Sequence, residues 1–141
     1  MSPEQFKTFY WPSLKATMQG LIDSGFIPVP FVQGSFNQRL DILAQDPLPK
    51  GRSMWIFDRT DMKSAKEKIG SWACIAGNVP ASLFKQGTPE MLEAYCKDLI
   101  DVCAPGGGFC LFPGSVIDRA TPENIKAYIG CGKKFGRYHT L

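Results

Sequence analysis

The chain has 141 residues and 15.6 kDa, enough for one domain with its own core, and its 44% hydrophobic, 12% aromatic and 21% charged residues exclude a disordered, collagen-like or coiled-coil chain. A net charge of +3, from 16 basic and 13 acidic residues with no basic block, calls for neither a nucleic acid nor a membrane partner. No apolar run reaches transmembrane length and residues 1–12 lack a signal-peptide pattern, so a cytoplasmic location is expected.

Residues 5–23 carry apolar positions at helical spacing, among them Phe6, Tyr10, Leu14, Met18 and Ile22. Pro12 suits the first turn of that helix, where a missing N–H costs nothing, and Gly25 stops it. Residues 26–32 form a short apolar run that reads as a buried strand, weakened by Pro28 and Pro30. A short helix is expected over 37–44 and a loop over 46–51. Residues 53–57 form the second strand. A helix capped by Thr60 or Asp61 then runs through Ile69 to Gly70. The third strand is expected over 72–76, ending in Gly77, Asn78 and Pro80. Thr88 and Pro89 open a helix to about Cys103, with Leu92, Cys96 and Leu99 on its apolar face. Gly106, Gly107 and Gly108 form a turn before the fourth strand, 109–112. Thr121 and Pro122 open the last helix, and this Thr-Pro-Glu start repeats the one at Thr88, as a repeated βα unit would.

Five cysteines form no CxxC pair and lie in apolar segments, so buried, reduced thiols are expected. The single histidine, His139, is third from the end, in a tail expected to fray. A histidine triad or a histidine-rich zinc site therefore cannot be built from this chain.

The four strands read as continuous apolar runs, which implies burial on both faces and hence a parallel sheet covered by helices. Four βα units are half of an eight-unit barrel; they also suffice for a flavodoxin-like sheet, and periodicity does not separate the two. In either, function gathers where parallel strands end. Those positions hold Gln33, Gly34, Ser35, Asn37 and Arg39; Asp58, Arg59 and Asp61; Gly77, Asn78 and Pro80; and Pro113, Gly114, Ser115 and Asp118. Gln33, Arg39, Asp58, Asn78 and Ser115 are the candidate substrate-binding residues, and no catalytic group is assigned. Asp58 and Asp61 also suit the cap of a helix, and Arg39 also suits a solvated helix face. The three consecutive glycines precede their strand, at the wrong end of the sheet for a phosphate loop.

Cys74-Ile-Ala-Gly-Asn-Val-Pro-Ala-Ser-Leu83, Gly87-Thr-Pro-Glu90, Tyr95-Cys-Lys-Asp-Leu-Ile-Asp101, Gly106-Gly-Gly-Phe109, Pro113-Gly-Ser115 and Thr121-Pro-Glu-Asn124 together resemble the uroporphyrinogen decarboxylase family. That family also contains cobalamin-dependent methyltransferases. The resemblance implies a TIM (βα)8 barrel, of which the four parallel βα units and their preceding helix would be the C-terminal half, a single partial domain over 1–141. It implies a methyltransferase-like or tetrapyrrole-acting enzyme whose N-terminal catalytic segment is not in this sequence. The alternatives are a decarboxylase proper, a lyase of porphyrin biosynthesis, and a non-catalytic half-barrel that assembles with another chain. Decarboxylases of the family read Gly-His-Gly at the last strand, where this chain has Pro113-Gly114-Ser115. Its methyltransferases carry Pro-Gly-Cys there and His-x-Cys after the fifth strand, and those three ligands hold a zinc. Phe31, Gln33 and Ser115 stand at the corresponding positions, so no metal is expected. No resident cofactor is expected either; a corrinoid or tetrapyrrole would be substrate or partner ligand. The implied partners are a small-molecule substrate or a corrinoid protein, and a second copy or the missing half-barrel. On the edges, Pro28 and Pro30 are expected to blunt the first strand, leaving the last unprotected.

Overall fold

The computed structural model describes residues 1–137, so His139 lies outside the described residues. The chain opens with α1 (Pro3–Gln5), a π-helical turn (Phe6–Tyr10) and α2 (Trp11–Asp23). The predicted single helix thus contains one wider turn, in which the Trp11 N–H reaches back to the Phe6 carbonyl just before Pro12. Proline has no N–H to continue a regular ladder there, so the junction absorbs it. Gly25, at φ 88°, ends α2 in a Schellman motif: Phe26 donates to the Leu21 carbonyl and Gly25 to that of Ile22.

The βα units follow in order: β1 (Phe31–Val32), α3 (Leu40–Gln45), β2 (Met54–Phe57), α4 (Met62–Ile69), β3 (Cys74–Val79), α5 (Ala81–Gln86), α6 (Pro89–Cys103), β4 (Phe109–Pro113) and α7 (Pro122–Phe135). Asp61, Thr88 and Thr121 cap α4, α6 and α7 through their side chains. The short α5 after Pro80 escapes the sequence reading, because its six residues are too few to show a period. The third strand starts and ends later than expected, so Asn78 lies inside it.

All four strands are parallel and stand in the order β1-β2-β3-β4. That order separates the two architectures left open above. A flavodoxin-like sheet reverses its strand order and carries helices on both faces; a barrel adds each strand beside the last with helices outside. Here Val32, Trp55, Phe57, Ile75 and Val79 are buried under the helices, whereas Phe31, Met54, Ile56, Cys74 and Phe112 remain partly or largely exposed. The expectation of burial on both faces is therefore corrected. One face packs on helices, and the other is the inner wall of a half-barrel.

The core on the helical side is aromatic. Trp55 stacks near Phe57 and meets Trp11 and Trp72. Phe6 and Trp11 of the N-terminal helical segment pack there too, so this segment does not cover the inner face. Asn124, fully buried, ties α7 to the end of α5 through its amide, which lies within hydrogen-bond distance of the carbonyls of Leu83, Phe84 and Gly87. All five cysteines are free thiols; Cys96, Cys103 and Cys131 are buried, and Cys74 and Cys110 are half-buried. Among the described residues no helix is long and apolar enough to cross a membrane.

The first strand is shorter than the predicted 26–32 for a directional reason. β2 donates from Met54, Ile56 and Asp58 to the carbonyls of Pro28, Pro30 and Val32. Both prolines thus face β2 and cannot donate back, which leaves only Phe31 and Val32 as a full ladder. Because N–H and C=O of one residue point the same way and alternate along a strand, the outer edge carries Ile27, Val29 and Phe31. The prolines therefore do not blunt that edge. At the other end, Gly108 and Gly114 bond to β3, so Leu111 and Pro113 face outward. The Tyr128 hydroxyl donates to the Leu111 carbonyl at 2.9 Å, and Pro113 has no N–H to offer. The edge expected to be protected keeps its donors, and the edge expected to be unprotected has one carbonyl occupied by Tyr128 and one donor missing at Pro113.

Candidate functional site

The carboxyl ends of the strands are laced together by short loops. After β1, the Gly34 N–H donates to Asp58 Oδ2 at 3.0 Å, and Arg59 returns a bond to the Gly34 carbonyl. Phe36 donates to Thr60 Oγ1 at 3.0 Å, and Asp61 donates to Asn37 Oδ1 at 2.8 Å. Asp58 also lies 3.5 Å from Arg59 Nε. The next two strands come closer still. A Cβ on Gly77, at φ +127°, would stand 2.5 Å from the Phe57 carbonyl oxygen, so only glycine fits. The peptide between Gly77 and Asn78 is cis. Gly114 donates to the Val79 carbonyl at 2.8 Å, and its own Cβ would meet the Asp58 carbonyl at 3.1 Å. These contacts gather the segments after β2, β3 and β4 at one end of the sheet.

The candidate side chains nevertheless enter three different recesses. Gln33 and Arg39 line one of about 410 Å³ between the N-terminal helical segment and β1, walled by Phe6, Tyr10, Leu14 and Phe31. Arg39 lies between the rings of Phe6 and Phe36, at 5.6 and 5.1 Å from their centres, and donates to the Met1 and Ser35 carbonyls. Its donors are thus partly used by the fold. Ser115 lines a second recess of about 330 Å³ on the inner wall, with Phe31, Ile56, Phe112, Val116 and Ile117. Asn78 lines a third, of about 320 Å³, on the helical side between α4 and α6.

Asn78 is 7% exposed and internally partnered. Its amide donates to the Thr60 carbonyl at 2.7 Å, and the Tyr95 hydroxyl donates to its Oδ1 at 3.3 Å. Burial pushes the Tyr95 phenol above its ordinary value, which keeps it a donor. The expectation that Gln33, Asp58, Asn78 and Ser115 face one concave surface is corrected: Gln33, Asn78 and Ser115 line three separate recesses, and Asp58 lines none of them. Asn78 pins β3 to α6, and Asp58 holds the loop after β1. Gln33 and Ser115 stand on either side of Phe31, which lines both of their recesses. Sequence reasoning did not single out Phe31 as a wall, nor Thr60 and Tyr95 as partners. Tyr95 stands at the head of one of the segments that resemble the family, but nothing in the sequence pointed its hydroxyl at Asn78.

Phe31, Gln33 and Ser115 offer one apolar ring, one amide and one hydroxyl, a poor donor set for zinc. Among the described residues no three His, Cys, Asp or Glu side chains come together as a metal site. The inner recess is lined by Phe31, Ile56, Phe112, Pro113, Val116 and Ile117, with Ser115 among them.

Strands added in chain order with helices on one side define a βα-barrel half. The uroporphyrinogen decarboxylase (URO-D) family model matches residues 1–135, and the chain belongs to that family. It is also similar in structure to a methyltransferase from Methanosarcina mazei, with a TM-score of 0.73 and 25% sequence identity over 97% of this chain. The chain spans 39% of that protein's length. No curated protein matches the sequence.

Proposed function

We propose that this chain is the C-terminal half-barrel of a methyltransferase-type member of the family, and that its inner recess forms half of a site for a corrinoid or a related tetrapyrrole. The observation that carries this reading is the apolar wall of Phe31, Ile56 and Phe112 rising to Ser115 at the Pro-Gly-Ser turn. A corrinoid presents a broad apolar face and polar amide edges, which suits an apolar wall of Phe31, Ile56 and Phe112 with Ser115 beside it. The similarity to a methyltransferase supports the same branch. A small molecule or a corrinoid protein would be the methyl donor or acceptor. Groups that perform the transfer would come from the rest of the barrel, so this half alone binds and orients. Its five free thiols suit the reducing cytoplasm.

Titration with hydroxocobalamin and with uroporphyrin, followed by absorbance, tests the reading. Saturable cobalamin binding that weakens roughly fivefold in Ser115→Ala, the worth of about one hydrogen bond, is the expected result. Selective binding of uroporphyrin would favour the decarboxylase branch instead. Binding of neither would refute the proposal.

A further inference from the structure

The loop after β4 serves two recesses. Ser115 and Ile117 line the inner one, Asp118 and Arg119 line another against α5, and Val116 lines both. This further recess, of about 320 Å³, carries Ser82, Lys85 and Gln86 on its α5 side. It is polar where the inner recess is apolar. The side chains of Lys85, Asp118 and Arg119 are exposed and make no ion pair or hydrogen bond among the described residues. Every lining residue follows β3 or β4, which pair with each other, so the recess does not border the outer edge of β1. It stands at the carboxyl ends of the strands, where a barrel opens to solvent, and the loops after the last two strands of a barrel frequently hold phosphate groups.

We propose that this polar recess is an oxyanion subsite, in which Lys85 and Arg119 hold the nucleotide phosphodiester of a corrinoid whose ring lies on the inner wall. The subsite rests on the proposed function for its ligand, whereas the recess stands on its own geometry. Charge selects the anion. Lys85 and Arg119 less Asp118 leave one positive charge, which matches a phosphodiester monoanion better than the many carboxylates of a uroporphyrin. The Arg119 guanidinium can fork onto two phosphate oxygens, and Ser82 and Gln86 add a hydroxyl and an amide donor. Reach permits it as well. Only four residues of chain lead from Ser115 to Arg119, about 14 Å at full extension. One molecule can therefore set its ring against Phe112 and Ser115 and pass its tail over Val116.

Titration with hydroxocobalamin and with cobinamide, the same ring without the nucleotide and its phosphodiester, tests the subsite. Cobalamin is expected to bind about fivefold more tightly, as two exposed ion pairs of modest worth allow. Lys85→Ala/Arg119→Ala is expected to erase that preference and leave cobinamide binding unchanged. Asp118→Asn, which removes the opposing charge, is expected to tighten cobalamin alone. Ser115→Ala weakens both corrinoids, because it acts on the ring. The three charged side chains are exposed and unpartnered, so their variants keep the fold. Equal binding of the two corrinoids by the parent overturns the subsite, as does a double variant that weakens both alike. If neither corrinoid binds, the proposed function falls and dimethyl phosphate decides the subsite alone. Saturable shifts of the amide NMR signals of residues 82–86 in the parent, lost in the double variant, then uphold an oxyanion site; their absence overturns it.

Discussion

Replacing Asn78 by alanine distinguishes a structural pin from a ligand-binding group. The side chain is 7% exposed, its amide satisfies the Thr60 carbonyl at 2.7 Å, and its Oδ1 accepts from Tyr95 at 3.3 Å. Alanine strands the Thr60 carbonyl in a buried position, at a cost of about 1–3 kcal/mol. The Tyr95 hydroxyl keeps one weaker acceptor, the Asn78 backbone carbonyl at 3.4 Å, so its share is smaller, about 0.5–1 kcal/mol. The sum is about 1.5–4 kcal/mol, or roughly 5–16 °C in Tm for a domain of this size. Asn78→Asp should be at least as costly, because a carboxylate oxygen would replace the amide facing the Thr60 carbonyl. Urea unfolding and calorimetry measure both variants. A double-mutant cycle with Tyr95→Phe should show coupling of about 0.5 kcal/mol or more. If Asn78→Ala melts within about 2 °C of the parent, or the two variants are strictly additive, the pin is refuted and Asn78 is free for a ligand.

Other outcomes follow from the same contacts. Asn124→Ala should cost about 1–3 kcal/mol by urea unfolding, since it strands the Gly87 carbonyl in the α5–α7 joint, while the Leu83 and Phe84 carbonyls keep backbone donors. Trp72→Phe should be neutral within about 1 kcal/mol, because the lost ring volume is offset by removing a buried indole N–H that has no partner. Burial pushes the Cys96 thiol and the Tyr128 phenol up to about 12, and Cys103 to about 11. The unfolded chain therefore releases these protons first as pH rises, so stability holds below pH 9 and falls progressively towards pH 12. A pH-stability profile flat across that window would contradict the burial. Metal analysis of the purified protein should give no stoichiometric zinc.

Helix starts were the most legible part of the sequence, because their chemistry is local. Thr88-Pro89 and Thr121-Pro122 each place a capping hydroxyl and a donor-free residue where the first turn needs them, and both caps form. The half-barrel itself came from family resemblance; the residues alone left a flavodoxin-like sheet equally open, and only the strand order decides. Strand edges were misread for lack of direction. A proline removes a donor, but which neighbour loses it depends on residue parity relative to β2, and no periodicity records that parity. The candidate site failed in a similar way. Position at a strand end places the Asn78 backbone, whereas its side-chain direction follows from Thr60 and Tyr95, which are distant in sequence. Ser115 and Gln33 were found at the correct end of the sheet, but the ring of Phe31 between them was not foreseen.

The uninterrupted strand order also bears on how the chain acquires its structure. Paired residues such as Phe31 and Ile56, Met54 and Cys74, and Ile75 and Phe109 are separated by 25, 20 and 34 residues. Loop-closure cost grows only with the logarithm of such lengths, so the three ladders differ by about 0.5 kcal/mol in closure entropy. No strand must wait for a distant later one to be inserted between its neighbours. During synthesis each βα unit can dock on the one already made, from the N-terminus onward, and no later segment has to displace an earlier pairing. Among these four strands, β4 is then the last to join the sheet.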